Sequence, residues 1–170
     1  AVRGGTDVAV AVDIDLAGLA PQVACPHTVD NVVPVDNVTG RKIHDAFLGS
    51  CTNGRLEDLE IAAEILKGRQ IHSGVRMVVA PASTETYLAA MRNGTLETLI
   101  EAGAVILNPN CASCASMHMD ILADGETSIS STNRNFRGRR GSRESEVYLA
   151  SPATVAASAL AGCIADPRAC

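Results

Sequence analysis

The stretch 45-DAFLGSCTNGRLEDLEIAAEILKG-68 carries the pattern on which the fold reading turns. Its first residues are a short apolar run of strand length that stops at a glycine. The run RLEDLEIAAEILKG then places Leu56, Leu59, Ala63 and Leu66 at spacings of three and four, one face of a helix, with Gly68 where a helix C-terminus belongs. Strand, turn and helix make one βα unit. Cys51 lies in the turn, among Gly, Ser, Thr and Asn. A cysteine kept for packing sits among apolar side chains, whereas small residues let backbone N–H groups turn toward an anion or a sulfide. Cys51 therefore reads as a ligand, with a small packed thiol as the alternative.

Working outward, VRMVVAPA reads as a buried strand, Ser83 as an N-cap and TETYLAAMRNG as a helix ending at Gly94. TLETLIEAG, stopping at Gly103, is a further short helix, and AVILNPN is strand then loop. TSIS, the loop NRNFRGRRG and a last helix follow, the helix punctuated by Ser151, Pro152 and Gly162. The order β-α-β-α-β predicts an α/β fold: a parallel sheet flanked by helices with right-handed connections. In such sheets the ligand site lies beyond the C-terminal ends of the strands. Upstream, residues 8–15, VAVAVDID, alternate as a strand does, and PQVACPHTVDNVVPVDN is a proline-punctuated connector. Residues 1–40 thus read as tail and linker, and residues 41–170 as the domain.

The composition agrees. A chain of 170 residues that is 46 % apolar can bury one ordinary core. Aromatics make up only 2 % and Trp is absent, so the core must come from Val, Ile, Leu and Ala, the usual filling of a helix-flanked parallel sheet. A net charge of −5 gives nucleic acid no basic surface to bind. No run of about 18 apolar residues is present, so no membrane span is expected. The opening AVRGGTDVAVAVDID lacks the basic segment and apolar block of a secretory signal, and the expected location is cytoplasmic.

Six cysteines, Cys25, Cys51, Cys111, Cys114, Cys163 and Cys170, are too sparse for a small disulfide scaffold. Cys111 and Cys114, in 108-NPNCASC-114, form a C-x-x-C compatible with a redox dithiol, half a zinc site or two iron-sulfur ligands. The aromatic neighbours of thioredoxin-like motifs are missing, and so is the second pair a zinc site would want. Cys51 and the pair both fall after strands, so three thiols from two loops could converge. One plus two suits a 4Fe-4S cluster with one iron free of protein thiolate, which can then act as a Lewis acid. The bland reading is a packed Cys51 and a chance spacing. Cys25, Cys163 and Cys170 read as structural or exposed thiols, and His27, His44, His72 and His118 as solvent-facing or packed.

The loop 133-NRNFRGRRG-141 gathers Arg134, Arg137, Arg139 and Arg140, with Arg143 just beyond, in an otherwise acidic chain. Arginine contacts carboxylates in a planar, two-point manner, so this loop could hold a di- or tricarboxylate near a cluster. A solvated basic turn is the alternative.

The stretches GSCTNGRLEDLEIAAEILKG, NPNCASC, GETSISSTNRNFRGRRG and YLASPATVAASALAG closely resemble the third domain of the aconitase superfamily. Within it they look most like the large subunits of 3-isopropylmalate dehydratases and relatives such as homoaconitases and 2,3-dimethylmalate dehydratases. The resemblance covers nearly the whole chain, with residues 1–40 matching the end of a preceding domain and its connector. It implies a 4Fe-4S cluster on Cys51, Cys111 and Cys114, Asn133 beside it, and Arg134 and Arg139 on a substrate carboxylate. It implies a hydro-lyase of leucine biosynthesis type, acting on a small-molecule hydroxy acid such as isopropylmalate. The serine base comes from a swivelling domain or a separate small subunit, so this chain alone is not expected to turn over. A non-catalytic iron-sulfur or metal-binding module with an assembly or regulatory role is the alternative, and a zinc or dithiol module a third. Members usually read near NPGCGPCLG where this chain has NPNCASCAS. Were positive φ required there, Asn110, Ala112 and Ser116 would cost about 1 kcal/mol each, least for Asn.

Overall fold

The computed structural model describes Asp13, Asp15 and residues 18–115 and 119–170, without the side chains of Ala112 and Ser113. Apart from Asp13 and Asp15, the strand expected over residues 8–15 lies outside the described residues, as do Ser116 and His118.

Seven strands form one sheet: β1 (Gln22–Ala24), β2 (Val32–Pro34), β3 (Asp45–Gly49), β4 (Arg76–Ala80), β5 (Val105–Ile106), β6 (Thr127–Ser130) and β7 (Glu146–Leu149), in the order β2-β1-β7-β6-β3-β4-β5. The five strands from β7 to β5 are parallel. Between them run α1 (Ser50–Asn53), α2 (Leu56–Leu66), α3 (Thr84–Arg92), α4 (Thr95–Glu101) and α5 (Ala112–Ala115), and α6 (Pro152–Ala161) follows β7.

The helices start and stop for local reasons. Ser83 Oγ accepts from Thr86 N at the start of α3, and Ser151 Oγ from Thr154 N at the start of α6, where Pro152 needs no donor partner. At α2 the cap is instead Arg55, whose N–H donates to Asp58 Oδ2 at 3.1 Å.

Alternation along β3 separates two faces. Ala46 and Leu48, with Met77, Val79, Ile129 and Tyr148 beside them, form the main core with Leu59, Ala62 and Leu66 of α2 and Val155, Ala156 and Ala159 of α6. The other face carries Asp45 and Phe47 of β3, level with Arg76 and Val78 on one side and Ser128 and Ser130 on the other. There the loop after β6 crosses the sheet.

The segment read as a connector contributes more than a link. β1 pairs antiparallel with β2 and, through Ala24 and Leu149, with β7. Residues 22–34 thereby cover an edge that would otherwise present unpaired backbone groups. Strands of three residues have too little alternation to show as periodicity.

Candidate functional site

β3 ends in a turn that its sequence makes possible. Gly49 has φ 123°, and a Cβ there would lie 2.1 Å from the carbonyl oxygen of Ala80. At Gly54, where α1 ends, a Cβ would lie 2.6 Å from the same oxygen. The N–H of Gly49 donates to Ser131 Oγ at 2.9 Å, and Asn53 Nδ2 donates to the Ser131 carbonyl at 2.6 Å, tying α1 to the end of β6. Held this way, Cys51 is exposed in the first turn of α1. Ser50 beside it adopts φ 63°, and its buried Oγ has no hydrogen-bond partner.

The second cysteine segment meets the first at Ala80. Cys111 is exposed and accepts the Ala115 N–H on its carbonyl, while Cys114 is buried against Phe47, Val78, Ala80 and Leu107. An Arg139 guanidinium N–H donates to Cys114 Sγ at 3.6 Å, and the same guanidinium lies 5.3 Å from the centre of the Phe136 ring. Among the described residues only Ser50 and Asp120 are non-glycine residues at positive φ, so Asn110 and Ala112 take their places without that cost.

Three soft thiols presented beyond β3 and β5, with an unsatisfied hydroxyl beside one of them, are chemically suited to an iron-sulfur group. They are not gathered in advance. Among the described residues, no three His, Cys, Asp or Glu side chains come together closely enough to hold a metal ion.

The arginine loop divides its residues between two tasks. Asn133 and Arg134 are exposed, and Arg134 donates to the Asn133 carbonyl at 2.7 Å. Arg134 also lines a cavity of about 180 Å³ with His27, Thr28, Asn135 and Phe136. Asn135 is buried and anchors the loop, donating through Nδ2 to the carbonyls of Cys25 at 2.9 Å and Thr28 at 3.3 Å. Arg137 donates to the Arg143 carbonyl at 3.2 Å.

Arg140 serves neither of the roles read for the loop, an anion site or a solvated turn. It is fully buried, donates to Asp45 Oδ1 at 2.6 Å and to Ser128 and Asp120, and its guanidinium lies 5.0 Å from the Phe47 ring centre. A carboxylate with no exposure needs a counter-charge, and Asp45 in an apolar strand is the sequence signal that one must arrive. Asp120, left with little solvent and close to Asp45, has its carboxyl pushed up to about 7, chiefly by burial and secondly by the Asp45 charge. Arg76 grips Glu126 with two nitrogens, at 2.7 and 2.9 Å, and holds that carboxyl down to about 2.

His44 Nδ1 accepts from Thr127 N and His72 Nδ1 from Gly74 N, each at 3.1 Å, so both serve the backbone.

A profile of the aconitase family (aconitate hydratase) matches residues 36–162. The chain belongs to the aconitase family. This aconitase-family chain is 57 % identical over 154 residues to a probable methanogen homoaconitase large subunit of Methanothermobacter thermautotrophicus, covering 91 % of this chain and 36 % of that subunit. It is also 57 % identical over 155 residues to 3-isopropylmalate dehydratase large subunit 1 of Methanopyrus kandleri, covering 91 % and 37 %. A 3-isopropylmalate dehydratase large subunit of Mycolicibacterium smegmatis is 56 % identical over 157 residues, with 92 % and 37 % covered. The chain thus spans a little over a third of the length of the curated relatives it matches.

Proposed function

We propose that this chain is the cluster-bearing domain of a hydro-lyase of the 3-isopropylmalate dehydratase and homoaconitase type. The observation that carries the reading is the meeting of both cysteine segments and Arg139 at one end of the sheet, in a chain more than half identical to the large subunits of such enzymes. Cys51, Cys111 and Cys114 would hold a 4Fe-4S cluster, and residues 41–170 would be its domain, with residues 1–40 joining it to a preceding one.

When bound, such a cluster supplies an iron without a protein thiolate, a Lewis acid toward a substrate hydroxyl. The chain's own contribution is to bind and orient a hydroxy di- or tricarboxylate. Arg139, next to Cys114, presents a planar fork to a carboxylate. Exposed Arg134 and Asn133 offer further donors on the same loop. The base and the contacts that read the substrate's variable group belong to the remaining domains and a small subunit or swivelling domain.

Anaerobic reconstitution with iron and sulfide, with metal and sulfide analysis and EPR beside a Cys51→Ala variant, tests this. The expected result is a cluster near four irons per chain that the variant fails to hold. Stoichiometric zinc without iron, or a cluster indifferent to Cys51, would overturn it.

A further inference from the structure

The clearest built feature that the proposed function leaves unused is the ion network under Phe47. Arg140, Asp45 and Ser128 have no exposure, and the Asp120 side chain is only 4 % exposed. The network joins three separate segments: Asp45 on β3, which leads into Cys51; Asp120, six residues after Cys114; and Arg140, next in sequence to Arg139. Phe47, which lies against the Arg140 guanidinium, also packs against Cys114.

The backbone reinforces the arrangement. Leu122 N donates to the Arg140 carbonyl at 2.7 Å, and Ser142 N to the Leu122 carbonyl at 2.9 Å. Gly141 sits so close that a Cβ would lie 2.4 Å from the Leu122 carbonyl oxygen. The loop is therefore seated at Arg140 by side chain and main chain together, and Arg139 emerges from this seat toward Cys114.

We propose that Arg140 is a positioning residue: clamped between Asp45 and Asp120, it fixes Arg139 against the Cys114 sulfur. Two consecutive arginines thus divide one function, with Arg140 facing the sheet and Arg139 facing the thiol. The fork geometry matters because one guanidinium reaches Asp45 and Ser128 with one nitrogen and Asp120 with the other. A lysine carries the charge but only a single nitrogen. The inference concerns the site proposed above, yet its test needs no cluster, so a failed reconstitution leaves its outcome readable.

The test is alkylation of the metal-free full chain under native, reducing-agent-free conditions, following each cysteine by peptide mass spectrometry, with half-buried Cys163, in its bridge to Lys42, as the control outside the site. The variants are Arg139→Gln, Arg140→Met, the double variant, and Arg140→Lys. If Arg140 acts through Arg139, then Arg139→Gln and Arg140→Met each change the Cys114 labelling rate about tenfold and in the same direction, and the double variant goes no further, the non-additivity of residues that act as a unit. Cys163 stays near its wild-type rate. Arg140→Lys gives a smaller shift in the same direction and decides the matter if Arg140→Met does not fold. Additive effects, opposite effects of Arg139→Gln and Arg140→Met, an equal change at Cys163, or wild-type labelling in Arg140→Met (in Arg140→Lys, should Arg140→Met not fold) would overturn the proposal.

Discussion

The guanidinium of Arg140 donates to Asp45 Oδ1 at 2.6 Å with neither side chain exposed, and Asp120 takes its other nitrogen. Removing the cation leaves two carboxylates facing each other away from water, and breaking a buried ion pair from one side costs about 3–5 kcal/mol. Arg140→Met should therefore lower stability by about 3 kcal/mol near pH 8, read by denaturant titration. The loss should shrink near pH 5, where the carboxyls can take up protons, and Arg140→Met/Asp120→Asn should recover part of it. A loss independent of pH would mean that packing, not charge, is what Arg140 supplies.

Asp120 predicts the sign of the pH dependence. Its folded carboxyl, pushed up to about 7, lies above the ordinary 3.8, so between these values the folded chain holds more of the proton than the unfolded chain does. Stability must then fall as pH rises from about 4 to about 7, by up to about 4 kcal/mol. Glu126, held near 2, acts in the opposite sense: its contribution is complete above about 4.5 and is lost as pH falls toward 2. Asp120→Asn, which keeps a residue tolerant of φ 52°, should flatten the slope between pH 4 and 7 while leaving the acid limb intact. An unchanged slope would assign it to another group.

Much of this architecture is legible in the sequence, for reasons that particular residues make plain. β3, β4, α2 and α6 announce themselves because an apolar run or a three-and-four spacing is bounded by a residue with one structural meaning, as Ser151, Pro152 and Gly162 bound α6. β1 and β2 do not, since three residues between prolines resemble a linker until β7 offers them an edge. Arg139 and Arg140 are indistinguishable as letters. Only the fold sends one to Cys114 and the other to Asp45, although an aspartate within an apolar strand already asks for a partner. The cysteine spacing shows which strand ends bear thiols and is silent on how closely the sulfurs approach.

Gly49 offers a sharp steric prediction. An added methyl group would meet the Ala80 carbonyl oxygen at 2.1 Å and its carbon at 2.9 Å, and φ 123° is itself unfavourable to any side chain. Gly103 also has positive φ, 101°, but open space around it. Gly103→Ala should cost about 1 kcal/mol from backbone strain alone. Gly49→Ala should cost about 3 kcal/mol or more, since either β4 or the turn into α1 must shift. Thermal unfolding of the two variants side by side checks this, and equal losses would show that the turn yields freely.

Ser50 should set stability against cofactor retention. Its hydroxyl is buried without a partner beside Cys51, and a hydroxyl left so costs about 1–3 kcal/mol relative to an apolar group of similar shape. Ser50→Ala keeps the Cβ, and hence the same backbone strain at φ 63°, while removing only the unsatisfied oxygen. The metal-free variant should therefore be more stable than the parent by about 1 kcal/mol. If the hydroxyl instead serves a sulfur of a bound cluster, the reconstituted variant should lose iron to a chelator faster than the parent, a penalty the metal-free chain cannot show. Opposite signs in the two measurements would assign the hydroxyl to the cofactor, whereas a metal-free variant less stable than its parent would mean that Ser50 Oγ has a partner, such as an ordered water, in the folded chain itself.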